Sequence, residues 1–476
     1  MGTINSALSL MSGALDADQA ALNIVANNVA NASTAGYTEE KANFQENDPV
    51  TINGISYGQG VTETGATSTR DKVLTERLDQ QQQLASASST RLAALQSVQG
   101  LFTVASDSST NSTAGDIGSD LTSLFNSFST LESAPSNNSD RENVLSTAKI
   151  LASDISGTAT SLNSQKTALN QEAAGVTNQV NALTTSIAQL NKQIMSTSPN
   201  ADAGTLEDQR AEDVSQLSKL VGINQITTES NGLAITTTSG ALLVSEGASF
   251  QITNGTVNGV THFFVGSTDI TSGLTTGGGE LGGYLTARDV DIPSVVSSLD
   301  QLAYSVSTQV NALNNTGTDL NGNTGSTASP LYIFSEPTAV AGSAASMSVV
   351  MTDTNEIAAA ALGKGTGDGA NAVAMAALNS STSTIVNGQT PTNYYSSLVS
   401  TLGSTVSEVE TENTAQEASV TQLQTQNNAL SSVNLNDEAA TMSTFERSYQ
   451  AASRVFATIN TIMASALNLG ETTTVS

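Results

Sequence analysis

Both ends of this chain carry apolar residues on a seven-residue repeat, and no other feature restricts its fold as much. Near the start, Ile4, Leu8, Met11, Leu15, Leu22, Val25 and Val29 recur at spacings of three, four or seven, with Asp18 as a polar gap. Near the finish, Leu435, Met442, Tyr449, Phe456 and Met463 stand seven apart, and Phe445, Ala452, Ile459 and Ala466 make a second row. A 3.5-residue apolar period is the seam of helices that pack lengthwise. The first stretch predicts a helix about 40 Å long, stopped at Gly36, since glycine tolerates the left-handed helix-end conformation. Asn27, Asn28 and Asn31 are poor helix formers that can bond backbone where the helix ends and the chain turns outward. Read alone, they are equally well solvated helix-end amides.

One stripe per helix is thin cover. Each buried seam residue contributes roughly 1.5–3 kcal/mol at best, and joining the two ends carries a loop-closure cost. Two readings follow. The chain is an ordinary helical domain closed by its termini, or its ends are completed by neighbouring molecules, so that ordering is coupled to assembly.

Between the ends the pattern alternates. Residues 41–75 read as extended and turn-rich, then helical patterns run from Asp71 to about Thr103 and from Asp116 to Ala134. From about Asp140 to Thr197, Leu162, Leu169, Val176, Leu183 and Leu190 recur every seven residues, with Ala173, Val180, Ile187 and Ile194 as companion row. This is either a separate dimerisation coil or a helix of an intramolecular bundle. A helix follows from Leu206 to Leu220, then β-rich sequence to about Thr276 with turns at Asn231-Gly232 and Ser239-Gly240. Helix returns with "GGGELGGYLTARD"; residues 315–390 predict short strands and turns; helix resumes from about Asn393 to Leu430. The fold class is α+β: a long α-helical bundle and coiled-coil core built from both chain ends, with inserted β-rich outer parts.

Composition removes several functions. The 476 residues include no cysteine, which excludes disulfides, cysteine–zinc sites, iron–sulfur clusters and a cysteine nucleophile. The one histidine, His262, would have to serve any Ser-His-Asp triad, and no nucleophile motif accompanies it. A formal charge of −28 repels phosphate backbones and anionic lipid, so neither nucleic acid nor membrane is expected as a partner. No apolar run reaches the roughly 20 residues of a membrane span, and the N-terminus has no basic, apolar and cleavage regions of a Sec signal. Secretion, if it occurs, is expected by a route that does not read one. "DLNGNTG" from Asp319 fails the EF-hand pattern at Thr324 and Pro330. "GKGTGDG" from Gly363 lacks the spacer of a phosphate loop. "GTLEDQRAED" reads as an exposed, acidic first turn favoured by the helix dipole. No catalytic residue, cofactor or metal ligand is assigned.

"NNVANASTAGYT" resembles the N-terminal signature of bacterial flagellar rod, hook and hook-associated proteins, and "NLNDEAATMSTFERSYQAASRVFATINTIMASAL" their C-terminal one. The islands "LEDQRAEDVSQLSKLVG", "GGYLTARDVDIPSVVSSLDQLAYSVSTQVNALNNTGTDLNGNTG" and "GDGANAVAMAALNS" resemble the flagellar hook-associated protein 1 family. The chain departs from the pattern at Ala35, where the family has Pro, at Glu39, where a basic residue is common, and at Asn436 in the acidic run. The resemblance implies a non-enzymatic subunit of the hook–filament junction that polymerises helically at the distal end of the hook. Its implied partners are further copies of itself in a helical ring, the hook protein, the next hook-associated junction protein, a cytosolic export chaperone and the flagellar type III export apparatus. The implied location is the extracellular flagellum. The implied layers are an inner tube of residues 1–60 and 434–476, an α-helical middle of 61–222, 284–315 and 393–433, a β-rich outer part of 223–283 and a second excursion of 316–392. The implied assembly interface comprises Ile4, Leu8, Met11, Leu15, Leu22, Val25, Asn27, Asn28, Val29, Asn31, Gly36 and Tyr37 on the N-terminal side. On the C-terminal side it comprises Leu435, Met442, Phe445, Tyr449, Phe456, Ile459 and Met463, the seam a chaperone would shield. The alternatives are another axial component, hook or distal rod, and a secreted surface adhesin on a helical stalk.

Overall fold

The computed structural model describes residues 2–34, 36–52, 55–102, 116–197, 203–229, 231–380 and 388–471; the expected helix end at Thr103 and the departure at Ala35 lie outside them. Helix α1 (Gly2–Asn31) ends before Gly36. The Asn31 amide turns back to the Asn27 carbonyl at 3.1 Å, and Thr34 N–H closes a turn on Asn31 O at 2.8 Å. Gly36, at φ +77°, belongs to the following turn rather than to the helix stop. The asparagines end the helix first because their side chains compete for its last carbonyls.

The chain then forms an antiparallel ribbon. Strand β1 (Glu40–Glu46) pairs with β4 (Val61–Ser68), from Glu40 opposite Ser68 to Glu46 opposite Val61, with a bulge between Ala42 and Phe44. A small hairpin, β2 (Val50–Ile52) with β3 (Ile55–Tyr57), makes its tip. Asp71 caps α2 (Lys72–Gly100), accepting the Val73 and Leu74 N–H groups at 3.0 Å each.

Helices α3 (Ile117–Ser133), α4 (Asn138–Thr197) and α5 (Thr205–Leu220) follow. The 60 residues of α4 are one uninterrupted helix, about 90 Å long. Its heptad row is buried by the same chain, which makes it a bundle helix. Leu162 and Leu169 enter one core with α2, α3 and later helices, whereas Ala173, Val176, Val180 and Ile187 enter a second core with α5 and the sheets.

Two antiparallel sheets cover the far half of α4. The first has β5 (Ile223–Thr227), β6 (Leu233–Thr237), β7 (Leu242–Ser245) and β8 (Ala248–Ser249) in sequence order. The second has β9 (Ile252–Val257), β10 (Val260–Val265) and β11 (Thr268–Asp269), with β10 central. Two asparagines of α4 dock them. Asn181 exchanges two 2.8 Å bonds with the Ile252 backbone, and Asn191 donates to Leu233 O at 2.7 Å and Glu246 O at 2.9 Å.

After α6 (Thr271–Thr275), α7 (Gly279–Thr286) runs through a π-turn at Ala287–Asp291 into α8 (Ile292–Thr316). Gly283 lets α7 lie directly on α2: a Cβ there would stand 2.5 Å from the Ala87 carbonyl oxygen. The π-turn aims the buried Arg288 at Asp289, Asn170 and the face of Phe263.

Residues 317–380 differ from expectation. In place of short strands, the described residues carry two isolated bridges, Thr318 with Ala360 and Phe334 with Val349, and the short helices α9 (Ser343–Ser346) and α10 (Ala370–Ala377). Ile333, Phe334, Met347 and Met375 are buried in the first core. Side-chain amides replace ladders here: Asn311 and Asn314 of α8 bond the backbone of Leu331, Ile333, Phe334, Glu356 and Ala358. The chain ends with α11 (Pro391–Ser431) and α12 (Leu435–Glu471).

The sheet half carries a titratable contact. Gln225 of β5 donates to Asp79 Oδ2 at 2.9 Å, while Asp79 Oδ1 is buried without a partner. Burial pushes the Asp79 carboxyl up to about 7. A folded pKa above the unfolded one means that stability is full at low pH and falls as pH rises towards the folded value. The variant Asp79→Asn keeps the acceptor and removes the titration. Measured by urea unfolding, the stability of the variant relative to the parent should rise from pH 4 to pH 7, by about 2–4 kcal/mol in all, and level off above; parallel pH profiles would refute the assignment.

Candidate assembly surface

Helices α1 and α12 pack along each other within one chain. On α1 the small residues Ala17 and Ala21 are buried. Of the predicted N-terminal seam, Val25 is buried and Ile4, Leu8, Met11, Leu15 and Leu22 are half-buried, while Val29 is 40 % exposed. Of the C-terminal seam, Met442, Phe445, Tyr449, Phe456, Ile459 and Met463 are half-buried, and Leu435, at the first residue of its helix, is 54 % exposed. The two rows therefore meet and half cover each other. Val455 and Ile462 lie on the uncovered side.

One amide fixes how the pair is joined. Asn28, 1 % exposed, uses its whole hydrogen-bonding capacity. Its Nδ2 donates to Glu438 Oε1 at 2.9 Å and to the Glu40 carbonyl at 2.8 Å. Its Oδ1 accepts from the Tyr37 hydroxyl at 2.8 Å and from the Glu40 N–H at 3.0 Å. Helix α1, strand β1 and the first turn of α12 thus share one side chain. Burial, then the Glu40 and Glu438 carboxylates, push the Tyr37 hydroxyl up to about 12, so it stays a donor. Of the other two asparagines, Asn31 bonds Asn27 on the exposed side and reaches neither partner helix nor ribbon. Phe44 of β1 packs on Phe445 at 6.1 Å between ring centroids.

A second lock joins this terminal unit to the body. Thr38 donates its N–H to Asp208 Oδ2 at 3.1 Å and its hydroxyl to Oδ1 at 2.5 Å. Arg70 pairs with the same carboxylate and donates to Thr38 Oγ1 at 3.1 Å. The expectation of an exposed acidic turn fails here: Glu207, Asp208 and Arg210 are all buried. Glu207 bonds Asn231 at 2.7 Å and pairs with Lys72 at 3.3 Å. Burial alone would raise its pKa, but the Asn231 bond and Lys72 outweigh it and hold the carboxyl below its ordinary value.

Sequence reasoning assigned no role to Glu438, Glu40, Thr38, Asp208 or Arg70. Asp208 lay inside a recognisable island, but its partner Arg70 is distant in sequence, and no period connects them. Among the described residues no cluster could hold a metal ion, and no helix is long and apolar enough to cross a membrane. His262 sits 2.6 Å from Asp269, which also accepts from Thr271 Oγ1 at 2.7 Å. The carboxylate stands between hydroxyl and imidazole, the wrong order for the imidazole to take the hydroxyl proton.

Comparison with known proteins bears on this geometry. Residues 105–328 match the family described as "Flagellar hook-associated protein FlgK helical domain", and residues 9–38 match "Flagella basal body rod protein". Flagellar hook-associated protein 1 of Salmonella typhimurium is 30 % identical over 327 residues, 66 % of this chain and 57 % of that protein. The protein of the same name from Bacillus subtilis is 25 % identical over 486 residues, 93 % of this chain and 94 % of that one. The structure of the flagellar hook junction protein FlgK from Burkholderia pseudomallei shares the fold, with a TM-score of 0.63 at 18 % identity, over 74 % of this chain and 99 % of that chain. The match to the Salmonella relative thus spans just over half of that relative's length.

The Asn28 knot is open to test. Asn28→Asp exchanges its donor for an oxygen facing the Glu438 carboxylate and the Glu40 carbonyl. The pairing should weaken by about 2–3 kcal/mol at pH 7, read as faster hydrogen exchange over residues 436–445. The defect should shrink on acidification. Burial raises the Glu438 carboxyl, so this group favours the folded form at low pH and loses that effect as pH rises through its folded value. Equal exchange in parent and variant at pH 7 would remove the energetic role of the amide.

Proposed function

The chain belongs to the flagellar hook-associated protein 1 family, and on that premise we propose that it is a structural subunit of the bacterial flagellum, forming the hook–filament junction by helical self-assembly at the distal end of the hook. One observation carries the reading: the two chain ends form a single helical pair whose apolar rows are only half covered, with Leu435, Val455 and Ile462 bare. A surface of that kind is stabilised by further copies of itself. In this arrangement residues 1–60 and 434–476 form the inner tube, and residues 61–222, 284–315 and 393–433 form the helical middle layer. Residues 223–283 lie outside, and 316–392 are a second excursion seated on the middle layer. The function is mechanical, a join between two coaxial polymers, with no catalytic step. Its partners are the hook protein on one side and the next junction protein on the other. Before assembly, an export chaperone shields Met442, Phe445, Tyr449, Phe456, Ile459 and Met463, and the chain leaves through the flagellar type III apparatus to the cell exterior.

Deleting the chromosomal copy should leave hooks without filaments and release filament subunits into the medium; normal filaments would refute the reading. A finer test removes residues 456–476. The main thermal transition should be unchanged, because both hydrophobic cores lie outside the terminal pair, while incorporation at hook tips is lost. Global unfolding of that truncation would make the ends ordinary core instead.

A further inference from the structure

Helix α11 has two unlike halves. Its first half sends Tyr395, Leu398, Leu402, Val406 and Val409 into the main core. From Glu410 to Leu430 no residue is buried, until Ser431. Over that stretch, about 32 Å of helix, it lies along the lower half of α2. The side-chain hydrogen bonds there join amides and hydroxyls, and among the apolar residues of the stretch Val420 and Leu423 are only half-buried. Gln81 of α2 donates to Gln416, and Ser88 donates to Asn413 Oδ1 at 3.1 Å. An open groove of about 400 Å³ runs between the helices, lined by Gln82, Ala85, Lys219, Glu417, Val420 and Gln424. Further down, Asn427 Oδ1 is buried without a partner.

The two halves hold by different physics. Interlocked apolar side chains fix one register, and any shift opens voids. Amide pairs in contact with water contribute about 0.5–1.5 kcal/mol net each and are readily exchanged for water. They are also few: of the α2 glutamines Gln81 bonds α11, whereas Gln82 accepts from Ser215 of α5 and Gln83 bonds the Ile223 backbone. At the lower ends the helices reach the terminal unit separately. Chain continuity joins α2 to the ribbon and α11 to α12, and Glu39 N–H bonds Ser431 O at 2.9 Å.

We propose that residues 410–431 of α11 act as a detachable strut. This segment opens from α2 and reseats on it as a unit, while residues 395–409 stay clamped, so that the terminal helix pair changes its tilt against the helical body. The inference concerns the isolated chain and stands or falls independently of its place in the flagellum.

Native-state hydrogen exchange on the full chain decides it. Amides of 412–428 should be protected at least about 100-fold less than those of 398–409; uniform protection along α11 would overturn the strut. The chain has no cysteine of its own, so Gln81→Cys with Gln416→Cys adds one clean disulfide. Its oxidation should slow exchange in 412–428 by about tenfold or more and leave 398–409 unchanged. Replacing the same pair by leucines should act in the same direction. Failure of the cysteines to join, or exchange that ignores the bond, counts against the proposal.

Discussion

The amide of Asn28 and the carboxylate of Glu438 are 410 residues apart in sequence and 2.9 Å apart in space. Closing a loop of that length in a disordered chain would lose a large conformational entropy for one hydrogen bond, although each doubling of length adds only about 0.6 kcal/mol. The body of the protein removes most of that cost. Helix α2 begins at Lys72 and α11 ends at Ser431, and the two lie side by side. Once they are packed, the terminal helices are tethered by short connections to neighbouring points. The helical body is therefore the precondition for the pairing of the ends, and the pairing is not what holds the body together.

The periodic part of this architecture was legible in the sequence. The heptad of α4 gives its face directly, because a seven-residue apolar row has few other uses; in α1 the row is shifted, with Ala17, Asp18, Ala21 and Asn28 buried off it and Val29 exposed on it. Turn chemistry at Asn231-Gly232 and Ser239-Gly240 placed two hairpins, with Asn231 and Gly240 both at positive φ. What stayed hidden depends on partners remote in sequence. Glu207 and Asp208 look like solvated charges until Lys72, Arg70 and Asn231 are brought beside them. Residues 317–380 carry no period because their backbone is satisfied by single amides such as Asn311, and a lone asparagine looks alike in a sequence whether it faces water or a buried carbonyl. Asn28 shows the same ambiguity within one motif. Three asparagines share a stretch of five residues, and the rotation of the helix decides which one is buried.

Charge sets a further condition on association. Each chain carries 43 acidic against 15 basic residues, and α11 has four glutamates and no lysine or arginine. Copies approaching one another meet a long-range repulsion that salt screens within about 8–10 Å. In the proposed assembly, binding between copies therefore has to come from short-range apolar contact. The terminal pair exposes apolar side chains in a strip where charge is sparse: Arg447 and Arg454 offset Glu446 on the exposed side of α12. Few charged side chains need be desolvated when such a strip is covered.

The distribution of apolar burial then orders stability along the molecule. The first core draws on α2, α3, α4, α8, α10 and α11, the second on α4, α5, α7 and the sheets, and neither includes a residue of α1 or α12. The terminal pair is held to the body by the Asp208 lock, the Glu39–Ser431 bond and chain continuity, without a share in either core, which places it among the elements of low local stability. A contact that binds only the native state adds RT ln(1 + [L]/Kd) to whatever it touches. That increment changes little in an element already fully ordered, and changes the population most where local opening is frequent. Partners acting on α1 and α12 therefore have more leverage over this protein than partners of equal affinity acting on its cores, and the half-covered seams lie on an element where that leverage is high.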